Sequence, residues 1–461
     1  MTNLRLKTKK SRKKSRRVTA TKLPRSLGKI NLHAAGIDVG AIEHYVAVPE
    51  GCDKDIVRTF GTFTVDLEAL ADWFDKCNIQ KIAMESTGVY WIPVFEILES
   101  RGFEVKLVEP GKLKSVPGRK TDVLDCQWIQ QLHTYGLLQG SVVPIESISI
   151  FRSYMRQRAM LIDCAAKHVL HMQKALMQMN IQLHHVISDI TGTTGLRIID
   201  AILKGERDPQ KLSKLRDPRC KKDGHTIALA LEGHWREDHL FMLEQSVKLY
   251  QFYHGLLDEL DQELENYLKK FEDKSDGQVL PPSPKPKAGS NAPRFDMCNQ
   301  LYKMSGIDLT KIDGISGHSA LQLISEIGID MSLWPTEKHF ASWLCLCPGN
   351  KKTGGRLITG KSRVSANRAA AVLRMAAQSL SRADCALGAF YRRMKYRLGA
   401  PKAITAAAHK LSKIVYNMLK YGSQYIDVGA EYYENEYRQR VLKNLTKRAS
   451  QFDLRLVPVE A

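Results

Sequence analysis

The sequence predicts a mixed α/β domain, then a long helical arm, then a basic and mostly helical C-terminal domain. Three observations carry this. Short apolar runs bounded by turn residues crowd the stretch up to about residue 110. Two long segments in the middle repeat apolar residues every three or four positions. The last third is helical in pattern and dense in Lys and Arg. At 461 residues the chain is too long for one compact core, so several domains are expected.

"HAAGIDVG" (33–40) reads as a buried strand ending in Asp38 and a glycine. "HYVAVPEG" (44–51) and "DIVRTFGTF" (55–63) read as two more strands, joined to the first as an antiparallel meander. "LEALADWFDKC" has helical spacing through Leu67, Leu70, Ala71 and Phe74. "KIAMES" (81–86) is a short apolar strand holding Glu85, "WIPVFEILESRG" a helix stopped by Gly102, and "FEVKLVEP" another strand. "KTDVLDCQW" (120–128) then opens a helix with Asp122 and Asp125 three positions apart. From about Ile148 the pattern changes: Leu161, Ala165, Val169, Met172, Leu176 and Met179 step along one long helix, and Tyr253, Leu257, Leu260, Leu264 and Tyr267 along a second. The pair suggests an antiparallel coiled coil, packed within one protomer or between two. The resulting limits are a disordered basic arm over 1–30, the α/β domain over 31–147, the helical coiled-coil arm over 148–273, a Pro/Lys-rich linker over 274–294, the C-terminal domain over 295–445 and a tail over 446–461.

Formal net charge is +20, which favours polyanionic partners. The first 29 residues hold no acid, so that arm either solubilises the chain or lies along a nucleic-acid backbone and releases counterions. No apolar run reaches the roughly 20 residues of a membrane span, and no signal-peptide pattern opens the chain. A cytoplasmic location without membrane contact is therefore expected. The nine cysteines lack a metal-binding rhythm beyond the lone C-x-C of Cys345 and Cys347, and read as reduced thiols.

Asp38 and Glu85 each end a strand, and in α/β sheets functional groups gather beyond the carboxyl ends of strands. Asp122 and Asp125 share one helical face. Were the four to converge, their like charges would raise one another's pKa, and a hard divalent cation would relieve the repulsion. All-oxygen ligands select Mg2+ or Mn2+ over zinc, and a pair of such ions suits phosphodiester chemistry. Each residue also has a plainer reading: Asp38 in an actin-like nucleotide strand, Glu85 beside a helix cap, Asp122 and Asp125 on a helix dipole. The set favours a metal.

"LTKIDGISGHSALQLISEIG" (309–328) reads as a helix-hairpin-helix whose turn, with Gly314 and Gly317, either exposes N–H groups to a phosphate or is an ordinary tight turn. In "WLCLCPGNKKTGGRLITGKSRVSANRAAAVLRMAAQSL" (343–380), Lys351, Lys352, Arg356, Lys361 and Arg363 surround glycines and hydroxyls in a predicted loop, suited to a scissile phosphate or simply solvated. Arg392 and Arg393 follow on a basic helix with Phe390, Tyr391 and Tyr396, aromatics that stack bases or, by the commoner use, fill the core.

"GIDVG", "AMESTGVYW", "VEPGKLKSVPGRKTDVLDCQWI" and "CPGNKKTGG…NRAAAVLRMAAQSL" resemble the DEDD transposases of bacterial insertion sequences, family one-ten, subgroup eleven-eleven. The resemblance implies an N-terminal domain of ribonuclease H-like, Holliday-junction-resolvase-like fold. It implies Mg2+ held by Asp38, Glu85, Asp122 and Asp125, with Lys120 as a phosphate-contacting cation before the pair. It also implies a serine before the Gly-Gly that attacks DNA and forms a covalent link. Here that position is Thr353, whose hydroxyl carries an extra methyl; Thr359, Ser362 and Ser365 are nearby substitutes. Further implications are donor and target DNA, a structured noncoding guide RNA, a homo-oligomer that is a dimer or tetramer, and nucleoid association. In such an assembly the carboxylates of one protomer would face the hydroxyl loop of another. The leading expectation is a recombinase that cuts and rejoins DNA. The alternatives are a structure-specific nuclease using the same carboxylates and water, a catalytically dead nucleic-acid scaffold, and an actin-like ATPase. The last would need glycine-rich phosphate loops, which the domain lacks.

Overall fold

The computed structural model describes residues 28–110, 122–281 and 291–457. Most of the basic arm, Lys120, residues 282–290 of the linker and the last four residues of the tail lie outside the described residues. The chain divides into two compact units, Met1–Val143 and Pro144–Ala461.

The first unit is built on a mixed five-stranded sheet of order β3-β2-β1-β4-β5, from β1 (Ala34–Val39), β2 (Glu43–Ala47), β3 (Val57–Gly61), β4 (Lys81–Glu85) and β5 (Glu104–Val108). β1, β2 and β3 form the antiparallel meander expected from their short connections, whereas β4 joins β1 in parallel and β5 joins β4 in parallel. The parallel crossovers run through α1 (Thr64–Lys76) and α2 (Trp91–Ser100). Ile37, Val39, Ile82 and Met84 on one sheet face form a core with Leu67, Leu70 and Phe74 of α1 and Val94 and Leu98 of α2. The opposite face carries α3 (Asp122–Thr134), whose Ile129 and Leu132 pack on Ala83 and Val108. The sheet thus lies between two helical layers, as period-two side-chain alternation requires of a strand buried on both faces.

The second unit opens with α4 (Glu146–Gln178) and later returns with α9 (Glu237–Leu268). The two are antiparallel: Tyr154 meets Tyr267, Arg158 meets Asp261 and His168 stacks on Tyr253, residue numbers rising on one helix as they fall on the other. These contacts join the two helices within one protomer. Between them α5 (Leu183–Val186), α6 (Thr193–Leu203), α7 (Pro209–Ser213) and α8 (Gly224–Ala230) form a helical tip with its own core, including Ile198, Ile199, Ile202 and Ile227, which the long-helix pattern did not reveal.

The remaining helices are α10 (Met297–Ser305), α11 (Gly317–Ile327), α12 (Glu337–Trp343), α13 (Arg368–Ser379), α14 (Ala386–Leu398), α15 (Ala400–Tyr421) and α16 (Ala430–Ser450). α15 is the axis of this part. It buries Ala403, Ala407, Leu411, Val415 and Tyr416, and the Tyr416 hydroxyl donates to Trp334 O at 2.7 Å. The nine cysteines are all unpaired with one another. Among the described residues no helix is long and apolar enough to cross a membrane.

One ion pair is buried in the arm. Arg158, 3% exposed, donates from Nε and Nη2 to the two carboxylate oxygens of Asp261 at 2.6 and 3.2 Å, and from Nη1 to Asn291 O at 2.7 Å. Removing one partner strands the other charge out of water. Asp261→Ala is expected to cost about 3–5 kcal/mol, read as a lower urea midpoint of the arm; an unchanged midpoint would show that the pair contributes little.

Candidate active site

The carboxyl ends of β1 and β4 bring the first two predicted carboxylates together. The parallel register pairs Gly36 with Ala83 and Ile37 with Met84, so its next step sets Asp38 beside Glu85, on strands about 4.8 Å apart. Residues at matched positions of parallel strands point to the same face. Ala83 packs on α3, and a Cβ on Gly36 would fall against the α3 backbone at Cys126 and Gln130. Two residues further on, Asp38 and Glu85 therefore face α3 as well. Asp38 is half-buried and Glu85 only 7% exposed.

The axis of α3 decides what they meet. Gln130 Nε2 donates to Ala34 O at 3.2 Å, and the N–H groups of Ile30 and Asn31 both reach Thr134 O at 2.9 Å. Gly36 lies under Cys126–Gln130. α3 thus runs antiparallel to β1. Two strand residues advance about 6.6 Å and four helical residues about 6 Å, so the turn over Asp38 is the first turn of α3. That turn carries Asp122 and the half-buried Asp125. The side chain of Asp122 lies outside what is described. The charges of Asp38 and Asp125 both bear on the Cys126 thiol, which burial first, and they in addition, push up to about 12. At the far end of α3, burial and then Lys106 push His133 down to about 4, so it stays neutral; neither ring nitrogen has a hydrogen-bond partner among the described residues.

The donor chemistry suits a hard divalent cation: Asp38, Glu85 and Asp125 are all carboxylates, placed at one sheet edge by the strand register and the first turn of α3. Among the described residues, no group of three or more His, Cys, Asp or Glu is close enough to hold a metal ion. Asp38, Glu85 and Asp125 by themselves therefore do not form such a group, and a cation site at this edge would need the Asp122 side chain.

Residues that sequence reasoning passed over surround this edge. Tyr45 lies directly across from Asp38 on β2, and its hydroxyl donates to Glu43 Oε1 at 2.6 Å. Gly36 and Gln130 set the helix against the strand. A glycine in the middle of an apolar strand run was the one available signal, since it marks close backbone approach.

In the second unit the expected hydroxyl loop is a β-hairpin, β6 (Lys351–Thr353) and β7 (Arg356–Thr359), closed by the pair Thr353 and Arg356. Gly354 and Gly355 have φ of +52° and +76°, the two positive values a type I′ turn demands. Thr353 and Arg356 are exposed, as is Lys361; the side chains of Lys351 and Lys352 lie outside what is described. The substitute hydroxyls are less available. Thr359, Ser362 and Ser365 are half-buried; Thr359 Oγ1 accepts from Lys361 N at 3.3 Å and Ser365 Oγ from Asn367 N at 3.0 Å. Arg363 donates to Ser342 O at 2.8 Å.

The helix-hairpin-helix reading needs correcting at its first arm, which is a three-residue 3-10 turn, Leu309–Lys311. Its glycines face inward. Gly314, at φ +87°, lies against Ala376 O of α13, and a Cβ on Gly317 would come within 2.8 Å of Cys298 Sγ on α10. The N-terminus of α11 is capped by Ser316, which accepts from Ser319 N at 3.2 Å. Arg392 donates to Ala383 O at 2.7 Å. Arg393 donates to the Tyr433 hydroxyl and lies 3.9 Å from the ring centre of Tyr437, clamping α16 onto α14. Tyr391 is core, 3% exposed, while Tyr396 is 97% exposed.

Two family models match the chain. The DEDD transposase model of the IS110 type matches residues 35–181, spanning the sheet, α3 and all of α4, and the Transposase IS116/IS110/IS902 family model matches residues 308–392, from the glycine turn through the hairpin to Arg392. No curated protein matches. The two matches together cover about half of the chain, over both the carboxylate edge and the hydroxyl hairpin, and the chain belongs to the IS110 family of transposases, enzymes acting on DNA.

Proposed function

We propose that this transposase is guided by a structured noncoding RNA and cuts and rejoins donor and target DNA through a covalent Thr353 intermediate. It would depend on Mg2+ or Mn2+ and act as a dimer or tetramer on the DNA of the bacterial nucleoid. The observation that carries the reading is the register that sets Asp38 beside Glu85 beneath the first turn of α3. Asp38, Glu85, Asp122 and Asp125 would hold the cation. When bound, it supplies charge neutralisation at the phosphate and at the attacking and departing oxygens.

The chain's own groups do the rest. The Thr353 hydroxyl attacks the scissile phosphorus, its proton passes to solvent, and the opposite DNA oxygen departs as a hydroxyl. Rejoining reverses the step with a different DNA hydroxyl. Thr353 is favoured over Thr359, Ser362 and Ser365 because it is exposed on the hairpin, whereas Thr359 and Ser365 accept from backbone N–H groups. Lys351, Lys352, Arg356 and Lys361 would grip phosphates around it, and Lys120 would do so beside the carboxylates. The guide RNA rests on the family resemblance and on a net charge of +20, which suits backbone and shape recognition.

Thr353→Ala is expected to abolish strand transfer and any protein–DNA link that survives denaturation, while DNA binding persists; Thr353→Ser should keep both. Full transfer by the alanine variant would move the role to another hydroxyl, and cleavage without a link would assign the protein to the nuclease class. Asp38→Asn and Glu85→Gln should each lower cleavage by more than the roughly 10–100-fold that follows loss of an outer-shell partner, measured across a Mg2+ titration; wild-type rates would remove the carboxylates from the reaction. Sequencing of RNA copurified with the protein should return one structured species, and bulk degraded RNA would count against guidance.

A further inference from the structure

α3 carries two of the four carboxylates, so its height along β1 decides whether they reach Asp38 and Glu85. Two residues outside the acidic set fix that height. A methyl group on Gly36 would collide with Cys126 O and Gln130 N and lie 2.9 Å from Gln130 Cα. These are backbone atoms, so no side-chain rotation can make room, and the helix would have to retreat by roughly 1 Å to restore ordinary contact. Two residues back along β1, Gln130 ties the helix to the strand: Nε2 donates to Ala34 O at 3.2 Å and to Thr134 Oγ1 at 3.0 Å, while Thr134 Oγ1 donates back to Gln130 O at 3.0 Å. Asn31 Nδ2 holds the last turn through His133 O at 2.8 Å. The anchoring is concentrated on the C-terminal half of α3, and the acidic first turn projects from it over the strand ends.

We propose that Gly36 and Gln130 are positioning residues for the divalent cation, setting the distance between the α3 carboxylates and the Asp38–Glu85 pair. The inference rests on the carboxylate reading of the site and adds that its affinity is governed by a strand glycine and a helix glutamine that touch no ligand. Misplacement of reacting groups by about 1 Å is costly at such sites, and loss of supporting contacts typically weakens metal binding by roughly 10–100-fold.

The test measures Mn2+ binding to the purified full-length protein by electron paramagnetic resonance, without DNA, beside thermal unfolding of each variant. Gly36→Ala should weaken Mn2+ binding by about 10–100-fold, and Gln130→Met, which keeps the volume but loses the amide, by about tenfold. Gly195→Ala is the control. Its Cβ would collide with Ile190 O in the helical tip, remote in sequence from the carboxylates, so it should lower the unfolding temperature and leave Mn2+ affinity unchanged. Wild-type affinity in folded Gly36→Ala or in Gln130→Met would overturn the inference; should Gly36→Ala not fold, Gln130→Met decides. Asp38→Asn separates the two levels: if it binds Mn2+ as the wild type does, the carboxylate reading fails, whereas loss of binding there with normal binding in the positioning variants sinks only this inference.

Discussion

The parallel pairing of β1 with β4 is the constraint on which the site depends. Antiparallel neighbours alone would have sent Glu85 to the opposite end of the sheet. The crossover through α1 returns the chain in the same direction, so both strands finish at one edge and the matched register sets both acids on one face. Placing like charges side by side, one of them largely out of water, opposes folding. A protein keeps such an arrangement where a cation or a reaction gains from it, which is why the edge is informative when each acid alone is not.

The second layer of the constraint is steric. β1 presents Ala34, Gly36 and Asp38 to α3, two small residues and then the acid. The helix settles close where the side chains are small, and the space at the end of the strand is left to the carboxylates. The other sheet face, with Ile37, Val39, Ile82 and Met84 against α1 and α2, carries most of the apolar burial of this unit. Packing and chemistry thus occupy opposite faces of the same strands.

Much of this could be read from the chain alone. All five strands sit where the short apolar runs and turn residues put them, and the two long helices follow their three-and-four spacing, because local patterning decides these features. What escaped depends on partners far along the chain. The helical tip between α4 and α9 has a core assembled from several short pieces, none with enough turns to show a clear period. The basic stretch around Thr353 reads as a loop by composition, and only the positive φ of two successive glycines makes it a hairpin. Arg393 looks like a phosphate ligand beside its own neighbours in sequence, but Tyr433 and Tyr437, about a helix and a half later, claim its guanidinium. Gly314 and Gly317 read equally as a phosphate turn or a tight turn, and what the sequence did not reveal is that a Cβ at either would meet a neighbouring helix.

The hairpin gives a meaning to threonine where the family resemblance implies serine. A β-branched side chain is favoured in an extended strand and has few χ1 choices there. With a two-residue turn leaving no slack and Arg356 paired opposite, the backbone at position 353 is held extended, and β-branching leaves its hydroxyl few directions. In the attacking role proposed for it, the added methyl would exchange rotational freedom for aim: the oxygen would be oriented before any nucleic acid arrives, and an incoming strand would have to fit its direction rather than recruit it.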